Sequence, residues 1–495
     1  MTIPNMRVPM FAVEFDDSLA VQGSSLLTYK ALIFGQKTSA GTATAGQFYR
    51  LNEQIPNQYF GVGSDLARMA NKWFEGNKFT EVWAYPFADP AGVAATGKIS
   101  FNGSAATADG EVPLLLDGKR VAFSVANADT SADICTACIA AINAETDLPF
   151  TALVDPINAY ECNLTAKNVG IIGNNLDIQY CYYDGEVLPS GVVIAITAMA
   201  SGTLSVDVTA MLTAIGEDWY NVIVSSVADA TNLALIEAEL LSRFGPLRMI
   251  DGMYVCSRRG IGGDRATKNT ELIAFGNGRN SKHVTCMNCS YIPNDPAEFA
   301  AGYAAQIAYE SAIDPNRPLQ TLTVTGILPP KRGQRNSLSD NNALLMDGIS
   351  TFDVVASDVV IQRAITMFQL NGAGAASISY LNVETLMTLM YMRYDFRNTI
   401  RTKYPRAKLA NDGVRVQSGM QVMTPSVGKA EALSIFRGWE YLGLTEDITQ
   451  FKRDLVCVRS SVDPDRLEWT MSPNLINQFR VGAALIQFLL ESSTV

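Results

Sequence analysis

Few residues in this 495-residue chain have side chains suited to catalysis, and the first is a single histidine, His283. A Ser-His-Asp or Cys-His catalytic site would have to use it. His283 stands at the start of an apolar, strand-like run at 284–289, which favours a structural role in the core. We therefore predict no catalytic residues.

Two pairs of cysteines have the spacing of zinc ligands. Cys286 and Cys289 follow His283 in an H-x2-C-x2-C pattern, and Cys135 and Cys138 form a C-x2-C pattern. A structural zinc ion needs four ligands that the fold brings together. Residues three apart face opposite sides of a strand, and Cys135 and Cys138 on a helix are typical small core residues. We predict no metal site and no cofactor.

Two glycine-containing segments invite comparison with phosphate-binding loops. Residues 35–38, Gly-Gln-Lys-Thr, follow a predicted strand but lack the glycine directly before the lysine that a P-loop requires. Residues 260–263, Gly-Ile-Gly-Gly, lead into Asp264 and Arg265 without the spacing of a dinucleotide fingerprint. Both segments are interpreted as turns.

A stripe of arginines lies on a long helix that Asn382 is predicted to cap. Arg393, Arg397 and Arg401 are spaced by four residues and share one helix face, and only Asp395 opposes them nearby. Like charges at this spacing repel each other unless acidic groups meet them. Two interpretations stay open: a solvated face favoured by the helix dipole, or a docking surface for an acidic partner.

The composition describes a folded, acidic protein. Hydrophobic residues make up 48% and charged residues 18%, and the length allows two to four domains at about 100 to 200 residues each. The 38 basic and 49 acidic side chains give a net charge of −11. An acidic surface does not displace counterions from phosphates, so we predict no direct contact with nucleic acid.

The chain carries no segment that predicts membrane insertion. Its longest apolar run, 481–490, is roughly half of what a membrane-spanning helix needs. The first fifteen residues lack the apolar stretch of a secretory signal. We expect a protein made and kept in a reducing cytoplasm, with its eight cysteines as thiols.

Residues 97–205 read as an inserted, mostly β lobe. Short β-branched and aromatic runs alternate with turn signals, among them the hairpin-type dipeptides Asp117-Gly118 and Asp184-Gly185, and one helix is predicted near 132–143. This segment holds four basic and twelve acidic residues, a net of −8. Such a charge suits a lobe that projects into solvent.

The flanking segments predict a parallel sheet covered by helices. Strands are predicted at 26–34, 221–226, 253–257, 284–289 and 321–327. Helices are predicted from the cap Ser64, at 233–244 and from the cap Asp295, where Glu298 could complete a capping box. Strands and helices in alternation indicate an α/β layer.

The last region predicts two helices, a hairpin and an apolar end. The helix after Asn382 should end before Pro405, and the second helix is predicted at 429–441. A hairpin is predicted over 454–471, and 479–490 resembles a strand buried on both faces. The first 22 residues, with two prolines and alternating apolar residues, form a second strand-like end without an obvious partner.

Several segments together resemble the tail sheath protein of contractile bacteriophages of the Mu type, over nearly the whole chain. They are Ile-Pro-Asn-Met-Arg-Val-Pro at 3–9, Ile-Gln-Arg-Ala-Ile-Thr at 361–366, Tyr-Leu-Asn-Val-Glu-Thr-Leu at 380–386, and the closing hairpin with its terminal strand. These segments specify fold and assembly rather than catalysis.

The resemblance implies an α+β multidomain protein with a sheath-core fold. Residues 23–96 and 206–370 would form a subtilisin-like α/β domain, with 97–205 inserted as a mostly β outer domain. Residues 371–495 would form an α+β C-terminal domain facing the tube. Extended arms at 1–22 and about 474–495 would add strands to the sheets of neighbouring copies.

The implied function is structural. Many copies would form a helical sheath around the tail tube, assembled in the host cytoplasm for the virion, and contract to drive the tube through the host envelope. Further partners would be the tube, baseplate and tail terminator proteins, with Arg393, Arg397 and Arg401 facing the tube. The residues expected to act in self-assembly are Met6, Val8, Met10, Phe11, Val13, Val481, Leu485, Ile486, Phe488 and Leu489.

The alternative from another class is a cytoplasmic hydrolase of subtilisin-like or other α/β type. Fold alone does not bring proteolysis with it. The single histidine, without the context of a triad, argues against an enzyme.

Overall fold

A computed structural model describes residues 27–415, 417 and 419–488. These residues fall into two units. The larger contains Thr28–Tyr391 and the described residues from Leu475 onward, and the smaller contains Leu27 and the described residues of Met392–Asn474. The chain is mixed α+β throughout.

The larger unit begins with the first elements of a sheet and its helical cover. Ser64 caps the second helix as predicted, since its hydroxyl accepts a hydrogen bond from the amide of Ala67 at 3.2 Å. The elements are β1 (Lys30–Gln36), β2 (Tyr49–Arg50), α1 (Pro56–Phe60), α2 (Asp65–Gly76) and β3 (Glu81–Phe87).

The predicted β lobe follows, with its own hydrophobic core between Ala95 and Met199. It consists of two antiparallel sheets, with strand orders β10-β4-β8-β7 and β6-β5-β9, packed with one helix. Its elements are β4 (Ala94–Phe101), β5 (Gly110–Leu116), β6 (Lys119–Val125), α3 (Ser131–Ala144), β7 (Phe150–Val154), β8 (Glu161–Val169), β9 (Ile178–Tyr180) and β10 (Ile194–Ala200).

One of the two predicted hairpin turns in this lobe is confirmed and the other is wrong. Asp117 and Gly118 adopt φ values of 50° and 82° and join β5 to β6. Gly185 also has a positive φ, of 90°, but Asp184-Gly185 joins no pair of bonded strands. The strands on either side go to different sheets, because β9 pairs with β5 and β10 pairs with β4.

The chain then completes the large sheet, whose strand order is β13-β12-β11-β1-β3-β2. All neighbours are parallel except β2, which runs antiparallel to β3. The further elements are α4 (Thr209–Ala214), β11 (Val222–Ser225), α5 (Ala230–Phe244), β12 (Met253–Arg258), α6 (Arg265–Asn277), β13 (Val284–Asn288), α7 (Pro296–Ile313), α8 (Leu338–Met346), β14 (Thr351–Val355) and β15 (Asp358–Arg363).

The strand predicted at 321–327 is wrong. Only Thr323 makes a bridge, to Val360 of β15. Thr321 and Gly326 have φ values of 60° and 72°, which interrupt an extended backbone. The paired strands of this region are instead the antiparallel hairpin of β14 and β15.

The remaining elements include the hairpin that was predicted over 454–471. The last long helix begins at Pro425 rather than at 429, because Thr424 caps it through the amide of Val427. The elements are α9 (Val383–Lys403), β16 (Lys408–Leu409), β17 (Val422–Met423), α10 (Pro425–Tyr441), β18 (Thr445–Glu446), α11 (Ile448–Asp454), β19 (Val456–Arg459), β20 (Leu467–Thr470) and β21 (Asn474–Leu475), with β19 and β20 antiparallel as expected.

Candidate assembly surfaces

Two of the quoted sequence segments meet at the start of α9. The amide of Thr366 donates to the carbonyl of Leu381 at 2.8 Å, and the Thr366 hydroxyl donates to the carbonyl of Tyr380 at 2.6 Å. Ile365 and Asn382 form a β-bridge. The segments at 361–366 and 380–386 therefore build one site, although the sequence alone does not place them together.

This site holds the base of the C-terminal segment. The Asn316 side chain donates to the carbonyl of Ile476 at 2.9 Å and accepts from the Gln478 amide at 2.9 Å. The Asn382 amide donates to the Gln478 side-chain oxygen at 3.3 Å. Side-chain bonds thus fix the path of the chain at 476–478.

A buried ion pair holds Arg480 at the base of the C-terminal segment. The Arg480 guanidinium donates to the Glu384 carboxylate at 2.6 Å, and Glu384 is 1% exposed. The same oxygen of Glu384 accepts from the amide of Leu319 at 2.7 Å. Arg363 lies close by, and its pKa is lowered by burial and by repulsion from Arg480. One carboxylate therefore faces two guanidinium groups.

Beyond Arg480 the described chain leaves the surface as an exposed apolar segment. None of the described residues 480–488 is in a strand, and this agrees with a strand-like end that has no partner within its own chain. A strand needs a bonded neighbour, and no described part of this chain supplies one. Leu489 lies outside the described residues. The exposed apolar residues are Phe479, Val481, Leu485, Ile486 and Phe488, each at least 78% exposed.

The predicted N-terminal arm at 1–22 lies before the first described residue. All its predicted assembly residues lie outside the described part of the chain. Their role stays a prediction. They are Met6, Val8, Met10, Phe11 and Val13.

The predicted arginine stripe lies on α9, and its members differ in exposure. Arg393 is half-buried and engaged, whereas Arg397 and Arg401 are exposed. Asp395 accepts a hydrogen bond from the Trp439 indole at 2.7 Å. Among the described residues, no carboxylate lies within ion-pair distance of Arg397 or Arg401. Both interpretations of the stripe, solvated face and docking surface, remain compatible with this geometry.

The catalytic and metal candidates lie in cores. His283 is 1% exposed and packs on the Phe244 ring at 5.1 Å between centroids. Cys135 and Cys138 are buried on α3, and burial raises the pKa of Cys135 to about 12, which disfavours a reactive thiolate. In the described chain, no cluster of three or more His, Cys, Asp or Glu residues is arranged to hold a metal ion.

The segment compared with a P-loop begins inside a strand. Gly35 and Gln36 belong to β1, so their interpretation as a turn is wrong.

Sequence reasoning missed a buried charge cluster where the lobe meets the sheet region. Arg68 of α2 binds the carboxylates of Asp117, Asp295 and Glu298, the last two at 3.1 Å. Burial raises the pKa of Asp117 above its ordinary value, and repulsion from Asp295 and Glu298 adds to this rise while Arg68 opposes it. Burial alone would lower the pKa of Arg68, but the carboxylates outweigh it. No local signal predicts this cluster, because its members are 49 to 230 residues from Arg68.

Asp65, one turn before Arg68, lies beside this cluster. Burial, with repulsion from Asp295, raises the pKa of Asp65 to about 7. One of its oxygens accepts from the Ser226 hydroxyl at 2.8 Å and from the Gln36 amide at 3.2 Å. Its other oxygen is buried without a hydrogen-bond partner among the described residues. Asp65 is therefore a buried group that titrates near neutral pH.

The described chain thus ends in an apolar segment that is exposed beyond a fixed base. Residues 204–367 match the phage tail sheath protein central domain, and residues 376–488 match the phage tail sheath C-terminal domain. The chain is 36% identical over 488 residues to the Mu-like prophage FluMu tail sheath protein of Haemophilus influenzae, covering 98% of both. The chain belongs to the phage tail sheath family and is a structural tail sheath subunit.

Solved structures similar to this chain include two sheath tail proteins. The one from Desulfitobacterium hafniense has a TM-score of 0.46 at 12% identity, covering 94% of this chain and 100% of its own. The one from Listeria innocua has a TM-score of 0.46 at 11% identity, covering 92% and 97%. The family assignment rests on the sequence matches, which give no support to the hydrolase alternative.

No described helix has both the length and the apolarity to cross a membrane.

Proposed function

We propose that many copies of this chain wrap a tail tube as a helical sheath and contract to drive the tube through the host envelope. The observation that carries the proposal is the C-terminal segment. Its base is fixed by Arg480 and Gln478, whereas the apolar residues at 481–488 are exposed. An exposed apolar strand-like segment is stabilised when it pairs with another copy, since pairing satisfies its backbone and buries its side chains.

The hairpin of β19 and β20 is the receiving edge that we favour. It is a sheet of only two strands. Val456 and Val458 on β19 are 48% and 47% exposed, so apolar surface remains uncovered. Two-stranded sheets gain stability from further strands and an apolar face. An arm from a neighbouring copy would supply both.

The arginine stripe is proposed as the contact with the tube. Arg397 and Arg401 are exposed, and Arg393 begins the same face of α9. Exposed charge contacts are individually weak and exchangeable, yet they add up over many copies. Such contacts suit a sheath that holds its tube in register and then releases it.

The finer features of the family resemblance belong to the same proposal. They are the subtilisin-like topology, the outer position of 97–205, the tube-facing position of 371–495, assembly in the host cytoplasm, and contact with baseplate and tail terminator proteins. The large, mostly parallel sheet is compatible with that topology. Energy for contraction would be stored in the assembled lattice, and the chain would have no enzymatic activity.

The test is removal of residues 481–495, which keeps the ion pair between Arg480 and Glu384. The truncated chain should fold and stay soluble but form no cylinders in negative-stain micrographs. Ile486→Asp in the full chain should give the same defect, because a charge cannot be buried in a paired apolar strand. Leu247→Asp is the matched control, since Leu247 is 94% exposed outside the arm. Cylinders of normal length from the truncated chain would refute the role of the arm.

A further inference from the structure

The edge strand of the four-stranded sheet in the lobe is β7, and its sequence is apolar and uncharged. Phe150–Val154 reads Phe-Thr-Ala-Leu-Val and carries no charge and no proline. Leu153 and Val154 are 68% and 50% exposed, and nearby Ile157 is 88% exposed. An apolar edge strand without charge or proline lacks two of the devices that protect an edge from a further strand. In an assembly of copies with apolar arms, such an edge would offer the arms a second place to pair.

The register of β7 with β8 identifies the backbone groups on the free edge. Lys167 donates to the carbonyl of Pro149 at 2.7 Å, and Asp155 donates to the carbonyl of Glu161 at 2.8 Å. In an antiparallel ladder, alternate residues bond the partner strand and the residues between them point away from it. The N–H and C=O groups of Ala152 therefore face the free edge, as do those two residues away on either side.

The side chain of Asn143 occupies the middle of this edge. Near the end of α3, its amide nitrogen donates to the carbonyl of Ala152 at 2.8 Å, and its amide oxygen accepts from the Ala152 N–H at 3.0 Å. These two bonds reproduce what an added strand would make with Ala152. An incoming strand would have to displace Asn143 before a continuous ladder could form.

We propose that Asn143 closes this edge against the apolar C-terminal segments of other copies and so restricts strand addition to the intended edge. The inference rests on the proposed function, since it takes the arm as the competing strand. Asparagine suits the task because its amide satisfies both the donor and the acceptor of one residue. Asn143 thereby acts as a specificity-determining residue for assembly.

The experiment compares full-length Asn143→Ala with wild type. We expect the variant to form cylinders that bundle side by side, with light scattering raised several-fold at equal concentration. Asn174→Ala is the matched control, because Asn174 makes the same pair of bonds to Gly202, which lies outside any strand. Circular dichroism should show folded protein in both variants. Equal scattering of Asn143→Ala and wild type would overturn the proposal.

Two further variants test the mechanism. Leu153→Lys placed in the Asn143→Ala chain should abolish bundling, because a lysine on an edge strand opposes pairing without restoring the amide bonds. Bundling that persists would show another cause and overturn the proposal. Removing 481–495 from the Asn143→Ala chain should lower its light scattering to that of the wild-type chain with the same truncation, and any excess over that level would exclude the arm as the competing strand.

These outcomes separate the inference from the proposed function. If wild type without 481–495 still forms cylinders, the proposed function of the arm fails. If cylinders require 481–495 but Asn143→Ala behaves as wild type, the closure of the edge alone fails.

Discussion

The guanidinium of Arg480 lies 2.6 Å from the carboxylate of Glu384, which precedes it by 96 residues. This pair joins the end of the described chain to the first turn of α9. Both side chains are largely buried, at 11% and 1% exposure. The contact separates a fixed base from the exposed segment that follows.

Arg480→Ala should lower the free energy of unfolding by about 2 to 3 kcal/mol, because it removes one partner of a buried ion pair. The remaining guanidinium of Arg363 limits the loss. Urea unfolding of the unassembled chain measures the change. The looser base should also shorten the cylinders.

Arg453→Ala is the control for this pair, since Arg453 is 72% exposed and binds Asp454 at the surface. It should leave unfolding and cylinder length unchanged. An Arg480→Ala chain as stable as wild type would refute the role of the pair.

Arg397→Glu combined with Arg401→Glu should yield empty sheaths but few tails that contain a tube. The reversed charges would repel an acidic tube surface, while the core of the chain is untouched. This pair is preferred to one with Arg393, which is half-buried and engaged. Counting filled and empty sheaths in micrographs measures the effect.

Raised salt should reproduce this defect in wild type, because exposed charge contacts are screened. Arg50→Glu is the control, as Arg50 is 67% exposed on another part of the chain. A normal yield of filled tails from the double variant would favour the solvated face and direct the search to the loop at 331–335.

Replacing residues 94–202 by a short Gly/Ser linker should preserve cylinder formation and contraction. The ends of the lobe already meet, since the amide of Thr203 donates to the carbonyl of Val93 at 3.1 Å. Arg68 keeps Asp295 and Glu298 as partners when Asp117 is removed. Folded chains that fail to assemble would contradict an outer, dispensable lobe.

Asp65 should make the chain less stable at pH 8 than at pH 5. Its pKa in the folded chain, about 7, exceeds its ordinary value of 3.8, so the folded state binds the proton more tightly. This contribution to stability is complete below the ordinary pKa and is lost as the pH rises through 7. It amounts to roughly 2 to 3 kcal/mol between pH 5 and 8.

Asp65→Asn should remove this part of the pH dependence, which urea unfolding at several pH values measures. Asp207→Asn is the control. Hydrogen bonds from Thr209 lower the pKa of Asp207, so it titrates below this range. An Asp65→Asn chain with the wild-type slope would show that another group titrates.

Much of the local structure could be predicted because it depends on neighbours in sequence. Ser64 caps α2 through a residue three positions away, and Asp117-Gly118 turns the chain with positive φ. The continuous apolar run of β1 predicts a strand buried on both faces, and the residues at 31–34 are 0% exposed. The sequence also sufficed to recognise the family, since the quoted segments are themselves the signal.

What the sequence could not supply is the pairing of distant groups. Glu298 was expected to cap its own helix, but its carboxylate instead faces Arg68, 230 residues away. The segment 481–488 shows the same limit: its nearly continuous apolar run resembles a strand, but a strand forms only where a partner satisfies its backbone. The sequence by itself determined the family, the start of α2 at Ser64, the turn at Asp117-Gly118 and the buried run of β1, because each depends on neighbouring residues. Only the tertiary structure decided which charges meet and which apolar segment stays exposed, because burial and pairing depend on groups that chain proximity does not specify.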